Sequence, residues 1–304
     1  PRLESVLPSM IEVFDEPFAD YSSIPSFEIY KKIRVFNKVA ISGDGADEIF
    51  GGYKDMKLFY LSNFIPSFSF EGTNILGYLY SLIEGSSSLS RYAGYIFALL
   101  LFDDSTLSNL TTRGGWNIRY RKKYMKREAY EFTGGNSAEV KETKDFISSG
   151  SNPIERYLNY SKKRLTYDFL VKVDRTSMAN SLEVRSPFLD KNIIKDLFPT
   201  HPGTMANLFQ TKKELKNLLA NKGFRDLAKI KKMGFTPPLD IWITSNEFKE
   251  KMHSMIADKN TMISELFDVK LLQLMIKDDN SILKNKTRLW HLLILNEWET
   301  SNFR

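Results

Sequence analysis

Apolar residues recur at intervals of three and four from Leu3 to Phe14, which predicts an amphipathic helix at the start of the chain. A loop containing Pro17 and Pro25 follows, and a second helical pattern covers 27–37. At Lys38 the period changes. Val39, Ala40 and Ile41 form a short apolar run of the kind a buried parallel strand uses over 38–42, and Ser42-Gly43-Asp44-Gly45 ends it. Helix, loop, helix and strand in this order read as a piece of an α/β sheet. After Phe50 the pattern is overwhelmingly helical, with three-and-four spacing over 92–102, 154–173, 212–221 and 289–298. The stretches 86–90 and 133–152 are rich in Ser, Gly, Asn and Thr and read as loops. No internal repeat and no coiled coil is visible.

Composition narrows the class. A chain of 304 residues with 42% hydrophobic and 26% charged content can bury a core as one large domain. No apolar run reaches the roughly 18 to 20 residues that span a bilayer, and no signal-peptide pattern opens the chain. With no cysteine there is neither disulfide nor thiolate metal site, and three scattered histidines (His201, His253, His291) argue against zinc. These features point to a cytosolic (cytoplasmic) compartment. Net charge is +6, and the run YRKKYMKR over 120–127 mixes cations with aromatics. Such a run can bind nucleic acid, but with 37 acids against 43 bases the commoner explanation is a solvated helix face.

The candidate chemistry lies in KVAISGDGADEIFGGY, residues 38–53. Asp44, Asp47 and Glu48 place three carboxylates within five residues, beside glycines that let a ligand approach the backbone. Carboxylates so crowded repel one another, and a cation relieves the repulsion. Hard oxygen ligands at the C-terminal end of a strand suit Mg²⁺ held together with substrate phosphates. The local alternative is a turn and a helix start, with Asp44 as N-cap and acids in the first turn.

Two further segments, DRTSMANSLEVRSPFLD (174–190) and KMGFTPPLDIW (232–242), join the acidic loop in a resemblance to the synthetase domain of glutamine-dependent asparagine synthetases, in that family's order. DEPFADYSSIP (15–25) and TRLWHLLILNEW (287–298) are similar to it too, while 60–152 is unmatched. The resemblance implies an α/β fold of the adenine-nucleotide alpha-hydrolase type, an ATP-pyrophosphatase with a Rossmann-like parallel sheet. Residues 1–304 would form a partial C-terminal synthetase domain. Within it, 1–60 would be the α/β remnant carrying the SGDGADE loop, and 61–304 the mainly helical part. The family's upstream SGGxDS phosphate loop has no counterpart here, and the chain opens on Pro1 rather than Met, as an N-terminally truncated fragment would; alone it is expected to be inactive. The family's glutaminase half uses an N-terminal cysteine, which is also absent.

The resemblance also assigns roles. Residues matching Ser42 and Gly43 line the nucleotide and amino-acid pocket, and the match to Asp47 holds Mg²⁺ against the phosphates of ATP. Asp44 matches an acid proposed to deprotonate incoming ammonia; a carboxylate of ordinary pKa is a poor base, so holding ammonium electrostatically is the alternative. Lys232 matches a lysine that neutralises charge on the α-phosphate and departing pyrophosphate. Lys212 is placed for pyrophosphate contact. Arg185, or else Arg175, is a candidate for phosphate or the amino-acid carboxylate, and the charges of 174–190 are expected to be paired. Ser177, Met178 and Ala179 fit a helix start under the nucleotide. Glu48 reads as structural.

The implied reaction is adenylation of the aspartate side-chain carboxylate by MgATP, then attack of glutamine-derived ammonia to give asparagine, AMP and pyrophosphate. The implied partners are therefore small molecules (ATP, aspartate, ammonia from a glutaminase domain), with no membrane, and the resemblance is compatible with a homodimer. Two alternatives stay open. Relatives with these motifs amidate or cyclise other carboxylates, including surface-sugar acids and peptide or β-lactam precursors. The chain by itself could also serve as an assembly or binding domain.

Overall fold

The computed structural model describes residues 3–53, 115–134, 141–142, 145, 153–197, 211–230 and 234–303. Helix α1 covers Leu3–Phe14, the span its apolar spacing predicts, and buries Val6, Leu7, Met10, Ile11 and Phe14. Helix α2 covers Ser23–Arg34, four residues ahead of the predicted start. Pro25 therefore lies inside its first turn rather than in the loop; proline is tolerated there because the first N–H groups of a helix have no intrahelical acceptor. Strand β1, Val39–Ile41, and the short helix α3, Ala46–Ile49, carry the acidic loop between them.

Beyond that point the described chain is helical: α4 Ile118–Tyr124, α5 Arg127–Phe132, α6 Pro153–Arg164, a π-turn Leu165–Phe169, and α7 Leu170–Met178. The helical pattern over 154–173 is thus interrupted by a π-turn, a device frequent at functional sites. Strand β2, Glu183–Arg185, leads to a 3₁₀ turn, Pro187–Leu189, and α8, Lys191–Leu197. Helices α9 Lys213–Asn221, α10 Arg225–Lys229, α11 Leu239–Ile243, α12 Asn246–Ala257, α13 Met262–Leu266, α14 Val269–Met275, α15 Asp279–Lys284 and α16 Lys286–Phe303 complete the order. The predicted loop 86–90, the predicted helix 92–102 and most of 133–152 lie outside the described residues.

Strands β1 and β2 pair in parallel, with Val39 opposite Glu183, Ala40 opposite Val184 and Ile41 opposite Arg185. β1 is not buried as its apolar run predicts: Val39 is 44% and Ile41 78% exposed, and Phe36 just before them is 84% exposed. Burial is concentrated instead where helices pack on one another. The core is built from α1, α11, α12, α14 and α16, around Trp290, Leu289, Leu293, Met252 and Ile243. Trp290 also donates its indole N–H to Ala19 O at 2.8 Å. Through this bond the 287–298 segment fixes the loop of the 15–25 segment, and with it Asp20.

The aromatics of the basic run turn inward. Tyr124 is buried, stacks on Tyr120 at 5.9 Å between centroids, and the Arg288 guanidinium lies 3.2 Å from the Tyr120 ring centre. They form no exposed platform on which bases could stack. No helix among the described residues is long and apolar enough to cross a membrane.

His291 on α16 gives a pH-dependent test of this core. Burial, reinforced by the Arg288 charge, pushes its imidazole down to about 4 from 6.5. The unfolded chain binds a proton at His291 below pH 6.5 while the folded chain does not, so this contribution is complete above 6.5 and is lost as pH falls towards 4. A gap of about 2.5 pH units corresponds to roughly 3 kcal/mol. Urea unfolding at pH 7, 5 and 4 should show this loss, and His291→Gln should flatten that limb of the profile.

Candidate active site

The acidic loop begins where β1 ends. Ser42 N donates to Arg185 O at 2.8 Å, extending the ladder by one bond, and the hydroxyls of Ser42 and Ser186 are 2.9 Å apart. Gly45 then takes φ +88° and opens α3; a Cβ there would fall 2.7 Å from Leu189 Cγ. Gly45, not Asp44, is therefore the N-cap position, and no side chain caps this helix. Gly45→Ala should lower stability by about 1 to 2 kcal/mol from backbone strain alone, more once Leu189 is displaced, as chemical denaturation would measure. Gly43 faces open space: a Cβ there would meet nothing within 4 Å.

The turn at Gly45 sends the three carboxylates in different directions. Glu48 is buried and accepts a 2.6 Å hydrogen bond from the Tyr53 hydroxyl, which fits the structural role read from the sequence. Asp47 lies 2.8 Å, through Oδ1, from the ammonium of Lys212. Lys212 itself sits in a left-handed conformation, φ 53°, at the N-cap position of α9. A Cβ on Gly52 would overlap Asp47 Oδ1 and stand 2.5 Å from Lys212 Cε, so the glycine leaves room for this pair. Asp44 is half-buried and faces Tyr30. Burial, with the Asp44 charge second, pushes the Tyr30 hydroxyl up to about 12, so Tyr30 keeps its proton.

These groups share a cavity of about 540 Å³. Its lining includes Gly43, Asp44 and Asp47 of the acidic loop, Leu165 and Phe169 of the π-turn, and Gly234, Phe235 and Thr236. Part of the lining is polar: Lys172 of α7 donates to Asp20 Oδ2 at 3.0 Å and to Ser22 Oγ at 2.8 Å. Burial pushes the Asp20 carboxyl up, but the Lys172 ammonium and the bonds from Ser22 outweigh it and hold Asp20 below its ordinary value. Next to the cavity, the Arg164 guanidinium lies 4.8 Å from the Tyr53 ring centre and 4.9 Å from that of Phe169.

A family described as asparagine synthase matches residues 2–300. The chain belongs to the asparagine synthase family. It is similar to the glutamine-hydrolysing asparagine synthetase 1 of Bacillus subtilis, 26% identical over 97% of this chain and 45% of that protein. A Mycobacterium bovis protein that carries the same name provisionally is also 26% identical, over 97% of this chain and 44% of its own length. The chain therefore spans less than half the length of these relatives.

The structure brings some of the asparagine synthase candidates together and leaves others apart. Asp44, Asp47 and Gly43 line one cavity, and Lys212 reaches it through Asp47. Ser42, between the lining residues Ile41 and Gly43, is not itself among them and is tied to Ser186. Lys232 lies outside the described residues, but Gly234 and Phe235, two and three positions after it, are on the cavity wall. Arg185 is on exposed β2, bonded through Nε to Glu183 Oε1 at 2.8 Å, and is not among the lining residues. Asp174 and Arg175 are exposed. Ser177 and Met178 close the C-terminal end of α7 rather than start a helix, with Ala179 as its C-cap. Asp20, Ser22, Tyr30 and Lys172 were not singled out from the sequence. Asp20 and Ser22 lie inside the 15–25 segment, and Lys172 two residues before the 174–190 segment, so adjacency to those motifs was the available signal.

Proposed function

We propose that this chain is the ATP-using part of an amide-forming ligase. It would adenylate the side-chain carboxylate of aspartate, and ammonia derived from glutamine would then displace AMP. The observation that carries this reading is the single cavity shared by the acidic loop, Lys212 by way of Asp47, and the Gly234–Phe235 turn, in a chain of the asparagine synthase family. A carboxylate is a poor electrophile, and hydroxide a poor leaving group; adenylation supplies the leaving group.

The donor set fits Mg²⁺. Among the described residues no three His, Asp or Glu side chains converge into an all-protein cage, but Mg²⁺ bound with phosphates needs only one or two carboxylates. The ammonium against Asp47 is a cation already standing at that carboxylate. Asp47 would hold the ion, which neutralises charge on the departing pyrophosphate. Lys212 would turn from Asp47 to the pyrophosphate, and Lys232 would supply a point charge at the α-phosphate. Gly43, with open space where a side chain would stand, and Ser42 would let the backbone approach the nucleotide. Asp44 would hold incoming ammonium near the activated carbon, with Tyr30 protonated beside it.

Two organisational proposals belong with this reading. Residues 1–60 are taken as the remnant of an ATP-pyrophosphatase sheet and 61–304 as its helical partner, with the exposed Val39, Ile41 and Phe36 supporting further strands packed against β1 in the complete protein. The compartment proposed is the cytoplasm. The test is ATP–pyrophosphate exchange by the full-length protein with Mg²⁺ and a panel of acids. Exchange that requires aspartate is expected; exchange with no acid at all would overturn the reading.

A further inference from the structure

We propose that Arg164 is a positioning residue for the acidic loop: its charge acts on Glu48 through the ring and hydroxyl of Tyr53, and this relay holds the turn at Gly52 against Asp47. The kinetic part of the test rests on the adenylating reading above; the geometry does not.

Arg164 is the last residue of α6, immediately before the π-turn. Tyr157, Tyr160 and Arg164 follow one another at intervals of three and four, which puts them on one face of that helix. This face meets the acidic loop, where the Tyr157 hydroxyl donates to Asp47 O at 3.4 Å. The Arg164 guanidinium stands among three rings, 4.8 Å from the centre of Tyr53, 4.9 Å from that of Phe169 and 5.5 Å from that of Tyr160. Its Nη2 is buried without a hydrogen-bond partner. Withdrawing a guanidinium N–H from water with no acceptor is costly, and an apolar, flexible side chain such as methionine would fill an aromatic cage without that cost. A cation kept there is better explained by what its charge acts on.

The path from that charge is short. Tyr53 presents its ring to Arg164, and its hydroxyl donates to Glu48 Oε1 at 2.6 Å. A cation over the face of a phenol is attracted by the ring and polarises it, which makes the O–H a stronger donor. Glu48 is buried, where a carboxylate needs its charge compensated. Tyr53 and Glu48 line the cavity, while Arg164 is not among the lining residues and acts from behind them. The Tyr53–Glu48 bond also closes the turn that contains Gly52. Gly52 N donates to Asp47 O at 2.7 Å, and the missing side chain of this glycine leaves room for Asp47 beside Lys212. Loosening Tyr53 therefore frees the turn that faces Asp47.

The test is a double-mutant cycle in the full-length protein, read in ATP–pyrophosphate exchange and in urea unfolding. Arg164→Met should lower the kcat of exchange about tenfold, with the KM of ATP little changed. Tyr53→Phe keeps the ring beside the guanidinium and removes only the hydroxyl. If the charge acts through that hydroxyl, Arg164→Met costs less than about twofold more in the Tyr53→Phe background. If Arg164 only packs in its cage, the full loss recurs there and the relay is overturned. Arg164→Lys, which keeps the charge, should retain more exchange than Arg164→Met; equal losses would also overturn the relay. Arg164→Gln takes the place of Arg164→Met if the latter does not fold. Urea midpoints read the same coupling without catalysis: non-additive shifts bear the relay out and additive ones overturn it. A wild type with no exchange would overturn the adenylating reading and leave the relay to be decided by those midpoints.

Discussion

Asp47→Asn should cut aspartate-dependent ATP–pyrophosphate exchange by about two to three orders of magnitude while leaving the fold intact. The size follows from removing one charge from a preorganised site at which charge develops. The fold should survive for three reasons. Asparagine keeps the shape of the side chain beside Gly52 and an oxygen that can still accept from Lys212; Lys212, whose side chain is 23% exposed, can turn its ammonium to water; and α3 is held by backbone bonds such as Ile49 N to Gly45 O at 2.9 Å. A shift in Mg²⁺ dependence is the diagnostic part. If Asp47 is a ligand, the variant needs more Mg²⁺ for half-maximal exchange. If its only role is to anchor Lys212, exchange falls with an unchanged Mg²⁺ requirement, and Lys212→Met mimics it. Exchange within threefold of wild type would remove Asp47 from the machinery.

What could be read from sequence here depended on whether a feature was local. The bounds of α1 follow from its own apolar spacing, and Pro238 ahead of α11 marks a helix start at Leu239 for reasons contained within a few residues. The acidic loop was legible for the same reason, since Gly45 adopts the left-handed turn that glycine permits. Burial of β1 was not, because it depends on which surfaces other segments cover. Nor was the π-turn at Leu165–Phe169, which keeps a helical pattern of apolar positions. The polar part of the lining was least accessible: Lys172 and Asp20 are 152 positions apart, and no periodicity links them. Arg185 shows the converse. It lies in a motif beside the site by resemblance, yet strand alternation and its bond to Glu183 keep it at the exposed edge of a two-stranded sheet.

The second large effect is expected at Lys232. Gly234 and Phe235, which follow Lys232 in the sequence, line the cavity. The lysine's flexible stem and compact charge suit a site where negative charge moves from the α-phosphate to a leaving pyrophosphate, a change confined to the reaction itself. An interaction stronger in the transition state than in the bound substrate raises kcat rather than lowering KM. Lys232→Ala should therefore lower the kcat of exchange by about 10² to 10³ with little change in the KM of ATP. Lys232→Arg should recover only part of it, because a planar guanidinium delivers its charge with a different geometry. Lys231→Ala, one position away, is the control: if charge on the loop were enough, the two alanine variants would lose equal activity. A rise in the KM of ATP with kcat preserved would instead make Lys232 a uniform nucleotide-binding charge, and the cation acting on the leaving group would have to be sought at Lys212.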